Sequence, residues 1–253
     1  TDLDLSGNQQ LLLTKIHETG KPVVLVLMNG RAITINWANK YCNSIIEAWI
    51  PGKYGSEAVA DIVFGDYNPG GKLTVTFPKS VGQLPMCFPS KPMAQANART
   101  TVNGVIYPFG HGLSFTTFEY SDIKINPDKQ IAAGNVDVTV DVKNTGQLAG
   151  DEIVQLYIND EVSSVIRYDK ELRGFERITL APGETKSVHF TLNPEDLQML
   201  DINMNWIVEP GWFKVMVGSS SADIRQEGRF EILPKTQLNK PYEFQQLNAR
   251  MMQ

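Results

Sequence analysis

Residues 60–78, ADIVFGDYNPGGKLTVTFP, run from a helical end through an Asn-Pro-Gly-Gly turn into an apolar alternation with no spare residue between them. Val59, Ile62 and Val63 recur at three- and four-residue spacing, which places them on one face of a helix that Gly65 can end in the left-handed conformation. The ring of Pro69 sets φ, and Gly70 and Gly71 are conformationally permissive. The chain is therefore expected to reverse sharply before Leu73, Val75 and Phe77 alternate as a strand. A helix with an apolar face, a turn and a strand form one unit of a layered α/β arrangement.

Toward the N-terminus the same alternation of helix and strand continues. Ser6 is placed to cap a helix in which Leu12 and Ile16 share a face and Gly20 stops the chain. Lys21-Pro22 then leads into VVLVLM, residues 23–28, a continuous apolar run suited to a strand buried on both faces. A short helix around Trp37–Cys42 and a strand over Ser44–Ile50 follow. Residues 1–89 are thus expected to form a doubly wound α/β layer.

Past Phe115 the period changes to two. Val136, Val138, Val140 and Val142 alternate with Asp137, Thr139, Asp141 and Lys143, the pattern of a strand with one dry and one wet face, and Asn144-Thr145-Gly146 turns the chain. Further strands are expected over Tyr120–Ile125, Ile153–Ile158, Leu172–Ile178, Lys186–Leu192, Trp212–Val217 and Gly228–Leu233, bounded by turns such as APGE at 181–184. Seven strands suit an immunoglobulin-like sandwich over residues 117–233. Asn193-Pro194 marks the start of a single helical turn between strands. Residues 90–116 form a polar loop and an aromatic connector, YPFGHGLSF at 107–115, and residues 234–253 form a tail in which Tyr242, Phe244 and Leu247 are candidates for docking.

Composition narrows the function classes. A net charge of −5 from 28 acidic and 23 basic side chains, with no basic run, offers nothing suited to a phosphate backbone, so nucleic acid is not an expected partner. No apolar stretch approaches the ~20 residues of a spanning helix, and no membrane span is expected. Cys42 and Cys87 belong to no metal-spaced cluster and are expected to be two buried free thiols. His17, His111 and His189 share no local spacing, so no metal site is expected, and His111 is assigned to hydrogen bonding within the connector. The polar start TDLDLSGNQQ has neither a basic nor an apolar leader region and is expected to lie inside a larger fold.

Several segments together resemble glycoside hydrolase family 3, the β-glucosidase and β-xylosidase family: KPVVLVLMNGR at 21–31, EAW with PG at 47–52, ADIVFGDYNPGGKLTVTFP, YPFGHGLSFTTF at 107–118, and LRGFE with LAPGE at 172–184. The resemblance implies the C-terminal part of the family's α/β sandwich domain followed by a fibronectin type III-like domain, closest to bacterial periplasmic-type β-glucosidases. It also implies hydrolysis of terminal non-reducing β-D-glucosyl units without metal or organic cofactor, in a periplasmic or secreted setting. Tyr54 departs from the family pattern, standing where an acidic residue is usual, and Ala32 stands where proline is usual.

A retaining glycosidase needs two carboxyl groups about 5 Å apart across the scissile bond. By resemblance, the nucleophile comes from an N-terminal barrel domain and the acid/base glutamate lies just upstream of Thr1, so no catalytic residue is expected in this chain. The missing barrel is then its main partner, and a β-glucoside or oligosaccharide is the substrate of the parent protein. Asn29 and Arg31, just after the buried strand 23–28, and Trp49, at a strand end before Pro51-Gly52, are the candidate sugar contacts. Glu47, Glu57, Asp61 and Asp66 read as structural carboxylates. Trp212 reads as core. Two other classes are weighed: a non-catalytic carbohydrate-binding or scaffold module, against which the sandwich shows no row of exposed aromatics, and a receiver-like signalling domain, against which there is no acidic cluster at strand ends.

Overall fold

The computed structural model describes residues 2–85, 88–91 and 102–234. Cys87, most of the polar loop and the tail aromatics lie outside the described residues. In the N-terminal half, α1 (Gln9–His17), β1 (Val24–Leu27), α2 (Asn36–Tyr41), β2 (Ser44–Glu47) and α3 (Gly55–Phe64) alternate, and β1 and β2 pair in parallel from Val24–Ser44 to Leu27–Glu47.

Several local expectations shift. The helix expected to begin at Ser6 begins after Asn8, because Gly7 takes a φ of 56° and inserts a turn first. On α1, Leu13 is buried, whereas Leu12, expected on the core face, is 61% exposed. The apolar run behaves likewise. Val23 and Leu27 are buried, but Val24 and Met28, on the alternate face, are exposed; β1 has only β2 beside it, and its far edge carries no neighbouring strand among the described residues.

The end of α3 forms as expected. Gly65 has a φ of 84° and donates to the Ile62 carbonyl, and the Asp66 N–H reaches the Asp61 carbonyl at 2.8 Å, the two bonds of a Schellman ending. Its apolar face, however, is only partly covered: Val59 and Ile62 are half-buried, Val63 is exposed, and the neighbouring Phe64 is 81% exposed.

The Asn-Pro-Gly-Gly turn works differently from the expectation. Neither Gly70 nor Gly71 uses a positive φ. Gly70 is buried instead because the second half presses on it: a Cβ there would lie 2.6 Å from the Cβ of Asp151. Asn68 accepts the Phe115 N–H (2.7 Å) and the Ser114 hydroxyl (3.0 Å) and donates to the Ala149 carbonyl (2.9 Å). Arg177 donates to the Tyr67 hydroxyl (2.9 Å) and pairs with Asp151, whose other oxygen accepts from Thr179. The motif is therefore the joint between the two halves.

Leu73–Phe77 is not a regular strand. It pairs with the connector through Leu73 N–H to the His111 carbonyl and Phe77 N–H to the Tyr107 carbonyl, with one bridge at Phe77–Tyr107. Between those points Pro108 has no N–H to give, and its carbonyl accepts from His111 in a turn, so the ladder breaks.

The second half contains β3 (Phe118–Tyr120), β4 (Lys124–Asn126), β5 (Lys129–Ile131), β6 (Val136–Asn144), β7 (Gly150–Asp160), β8 (Glu171–Leu180), β9 (Thr185–Leu192), α4 (Pro194–Leu197), β10 (Met199–Leu200), β11 (Trp206–Ile207), β12 (Gly211–Ser220) and β13 (Asp223–Leu233). One sheet has the order β5-β13-β12-β7-β8. The other is built on β6, with β9 along one edge and β3 and β4 in succession along the other. The strand expected over Tyr120–Ile125 is thus two short strands. Val136, Val138, Val140 and Val142 are fully buried against Val154, Leu156, Phe213, Val215 and Phe230, as the alternation required. In β12 it is Phe213 that enters the core. Trp212, one residue earlier and so on the opposite face, is half-buried under the Arg229 guanidinium at 4.5 Å.

The connector is held on the sandwich by buried polar groups. Lys72 pairs with Glu152 at 3.4 Å and donates to the Gly112 carbonyl, and Glu152 also accepts the Tyr120 hydroxyl at 2.7 Å. Gln155 donates to the Gly110 and Ser219 carbonyls, and the Ser221 N–H and hydroxyl both reach the Phe109 carbonyl. Gly70→Ala places a methyl group against a Cβ that cannot swing aside. It is expected to lower stability by about 1–3 kcal/mol, as overpacking typically does, measured by chemical unfolding against the parent sequence.

Candidate functional site

In a parallel sheet the strand ends collect polar side chains, and here they do so at the C-terminal ends of β1 and β2. The Ala48 N–H extends the pairing to the Leu27 carbonyl at 2.9 Å, which brings the segments after each strand side by side. Asn29 donates to one oxygen of Glu47 at 3.4 Å, and the other oxygen of Glu47 accepts the Trp49 N–H at 3.0 Å. Asn29 Oδ1 is buried with no hydrogen-bond partner among the described residues. Burial pushes the Glu47 carboxyl up from its usual range, and the bonds from Trp49 and Asn29 oppose that rise.

Asn29, Glu47 and Trp49 therefore form one cluster. Arg31 does not join it. Its exposed side chain turns to the Asp2 carbonyl at 3.3 Å, on the wall of a cleft of about 450 Å³ that Asp4, Met28, Asn29 and Gly30 also line. A second groove of about 530 Å³ runs between α1 and the free edge of β1, lined by Leu12, Leu13, Ile16, Val24 and Val26. Glu57 is exposed in the first turn of α3, and Asp66 is exposed beyond its end.

Trp49 has a φ of 51°, in the left-handed region that costs a residue with a side chain about 1–3 kcal/mol. Its ring lies 6.0 Å from that of Phe77, which is 1% exposed and lies 6.1 Å from Tyr107. Tyr107 in turn stacks on His111 at 4.8 Å and donates to the Asn39 side chain at 2.7 Å. An aromatic column thus runs from the strand ends to the connector. The sequence pattern assigns His111 to hydrogen bonding within the connector. Its backbone does bond within the connector, but its ring is a stacking partner, and the signal for this was the aromatic density of YPFGH. Of the other residues weighed, His17 sits among Trp37 and Tyr41, and His189 meets the Thr139 hydroxyl. Among the described residues no group of three or more His, Cys, Asp or Glu side chains is arranged to hold a metal ion.

An α/β layer with polar and aromatic residues at its strand ends, fixed to a fibronectin-type sandwich through a hydrogen-bonded joint, is the C-terminal architecture of a class of glycoside hydrolases. Residues 1–115 match the glycosyl hydrolase family 3 C-terminal domain and residues 152–221 match a fibronectin type III-like domain. A β-xylosidase of Formosa agariphila is 46% identical over 87% of this chain and 31% of its own length. A periplasmic β-glucosidase of Salmonella typhimurium is 41% identical over 92% of this chain and 32% of its own. The structure of a β-glucosidase from Erythrobacter marinus superposes with a TM-score of 0.88 at 40% identity, covering 92% of this chain and 31% of that one. The chain belongs to glycoside hydrolase family 3 and carries its C-terminal domain and the fibronectin type III-like domain that follows. It spans about a third of the length of the relatives it matches.

The ring of His111 is held below the usual histidine pKa, first by burial and then by the positive charge of Lys72, with Asp223 opposing. The unfolded chain then binds a proton more readily than the folded one, so this group's contribution is present above its unfolded pKa and is lost as pH falls from there toward the folded value. His111→Phe keeps a ring on Tyr107 and removes the titration. The variant is expected to lose less stability than the parent between about pH 7 and pH 5, read from unfolding midpoints at each pH.

Proposed function

We propose that this chain is the C-terminal part of a retaining β-glucosidase that removes terminal non-reducing β-D-glucosyl units, with the nucleophile and the acid/base supplied by polypeptide outside this chain. The observation that carries the reading is the close match, at 40% identity and a TM-score of 0.88, to about a third of a β-glucosidase. Within this chain, the half-buried carboxylate at the strand ends, Glu47, is engaged by an amide and a backbone N–H. The role assigned to the strand ends is to border the glycoside site, with Asn29 and Trp49 facing sugar and Arg31 on the neighbouring cleft. The 46% identity to a protein named as a β-xylosidase favours a second reading, in which the terminal sugar is β-D-xylose.

The exposed apolar surfaces support a larger whole. Leu12 and Ile16 on α1, Val24 on the free edge of β1, and Val63 and Phe64 on α3 are exposed. Surfaces of this kind are normally covered in a folded protein. The proposed cover is the rest of the same polypeptide, an N-terminal domain and the strands that continue the sheet beyond β1. A periplasmic or secreted location is proposed on the likeness to the periplasmic β-glucosidase of Salmonella typhimurium. No helix among the described residues is long and apolar enough to cross a membrane.

Aryl β-D-glucoside and aryl β-D-xyloside offered to the full-length protein and to the 253-residue chain, with intact masses verified, test these statements. The full-length protein is expected to turn over the glucoside faster, and the 253-residue chain to turn over neither. Preference for the xyloside selects the second reading. Turnover by the 253-residue chain rejects the external carboxylates, and glycan binding by the full-length protein without turnover selects a binding module.

A further inference from the structure

Glu47 occupies a position where a carboxylate is an uneconomical choice. It is half-buried, its hydrogen-bond partners are the Asn29 amide and the Trp49 N–H, and no cation pairs with it among the described residues. A threonine or glutamine could cap the same strand end without placing a charge there. What the carboxylate achieves is a short bridge. Glu47 lies opposite Leu27 in the register, so its two oxygens reach both segments leaving the sheet, Asn29 after β1 and Trp49 after β2.

The second of these contacts bears on conformation. Trp49 is one of two non-glycine residues with positive φ among the described residues, and its N–H is held at 3.0 Å by the side chain two positions earlier. The left-handed turn sends the indole back against Phe77, which is itself immobilised in the core between Trp49 and Tyr107. The indole remains half-buried, beside the exposed Ile50.

We propose that Glu47 is a positioning residue whose carboxylate holds Trp49 in the left-handed conformation, so that the indole forms a stacking wall for a pyranose ring at the strand ends. The flat apolar face of an indole matches the C–H face of a β-linked pyranose, and a rigid ring binds with little loss of rotamer freedom. The inference rests on the reading that these strand ends border the glycoside site.

The test uses the full-length protein and two readouts. In thermal unfolding, Glu47→Ala is expected to lower the midpoint more in the Trp49 background than in a Trp49→Gly background, since glycine takes a φ of 51° without help and only the bond from Asn29 is then left to lose. In kinetics on an aryl β-glucoside, Glu47→Ala and Trp49→Gly are each expected to raise KM by about tenfold with kcat held within about twofold, while Glu47→Gln, whose amide oxygen accepts the same N–H, keeps the parent KM. Equal destabilisation by Glu47→Ala in both backgrounds overturns the proposal, as does a Glu47→Gln variant as impaired as Glu47→Ala. A raised KM in Trp49→Gly with a normal KM in Glu47→Ala overturns the positioning role and leaves the site reading standing. A normal KM in Trp49→Gly, or a full-length protein without glycosidase activity, removes the site reading and with it the stacking wall, whatever the unfolding midpoints show.

Discussion

The amide of Asn68 bonds in three directions at once, to the Phe115 N–H, the Ser114 hydroxyl and the Ala149 carbonyl, and so ties α/β backbone, connector and sandwich to one side chain. Three such bonds, each contributing about 1 kcal/mol net, are modest in energy and strict in geometry. Around them Gly70 lets the chain approach Asp151, and the Lys72–Glu152 pair is almost wholly buried. A buried ion pair adds little net stability against its desolvation. Its effect here is to admit one arrangement of connector and sandwich, because a shift of either would leave a charge unpaired away from water.

The two halves differ in how complete they are. The sandwich closes on itself: valines of β6 meet residues of β7, β12 and β13, and Phe213 stacks on Phe230 at 5.4 Å. The α/β half has a smaller buried cluster around Leu13, Val23, Leu27, Ile33, Ile35 and Phe77, and its helices turn apolar residues outward. Its order therefore leans on the joint and on the aromatic column from Trp49 through Phe77 and Tyr107 to His111. This gives the sandwich a physical role in the proposed function. It braces the surface from which the strand-end residues project.

Much of the architecture was legible in local pattern. The two-residue period of β6 predicted its buried valines, Gly65 predicted the end of α3, and Asn193-Pro194 predicted the start of α4. The errors arose where a distant partner decides the outcome. Leu73, Val75 and Phe77 alternate like a strand, but the segment opposite contains Pro108, which cannot continue a ladder. Asn144 ends β6 in a turn, as its local pattern implies, but its burial and its distant partners are not legible there. It is fully buried, bonded to Thr116, Gly146, Leu148 and Leu180. Of the candidate site, Asn29 and Trp49 are brought together through Glu47, whereas Arg31 turns away to the Asp2 carbonyl.

By itself the sequence determined the periodicities, the helix stops and the order of family motifs, because each depends on residues within a few positions of one another. Only the tertiary structure decided what the Asn-Pro-Gly-Gly segment is for. Its proline and glycines suggested a tight turn, a local property. Gly70 instead lets Asp151, far along the chain, come into contact with it, and such an approach is set by the packing of two domains, which no local pattern records.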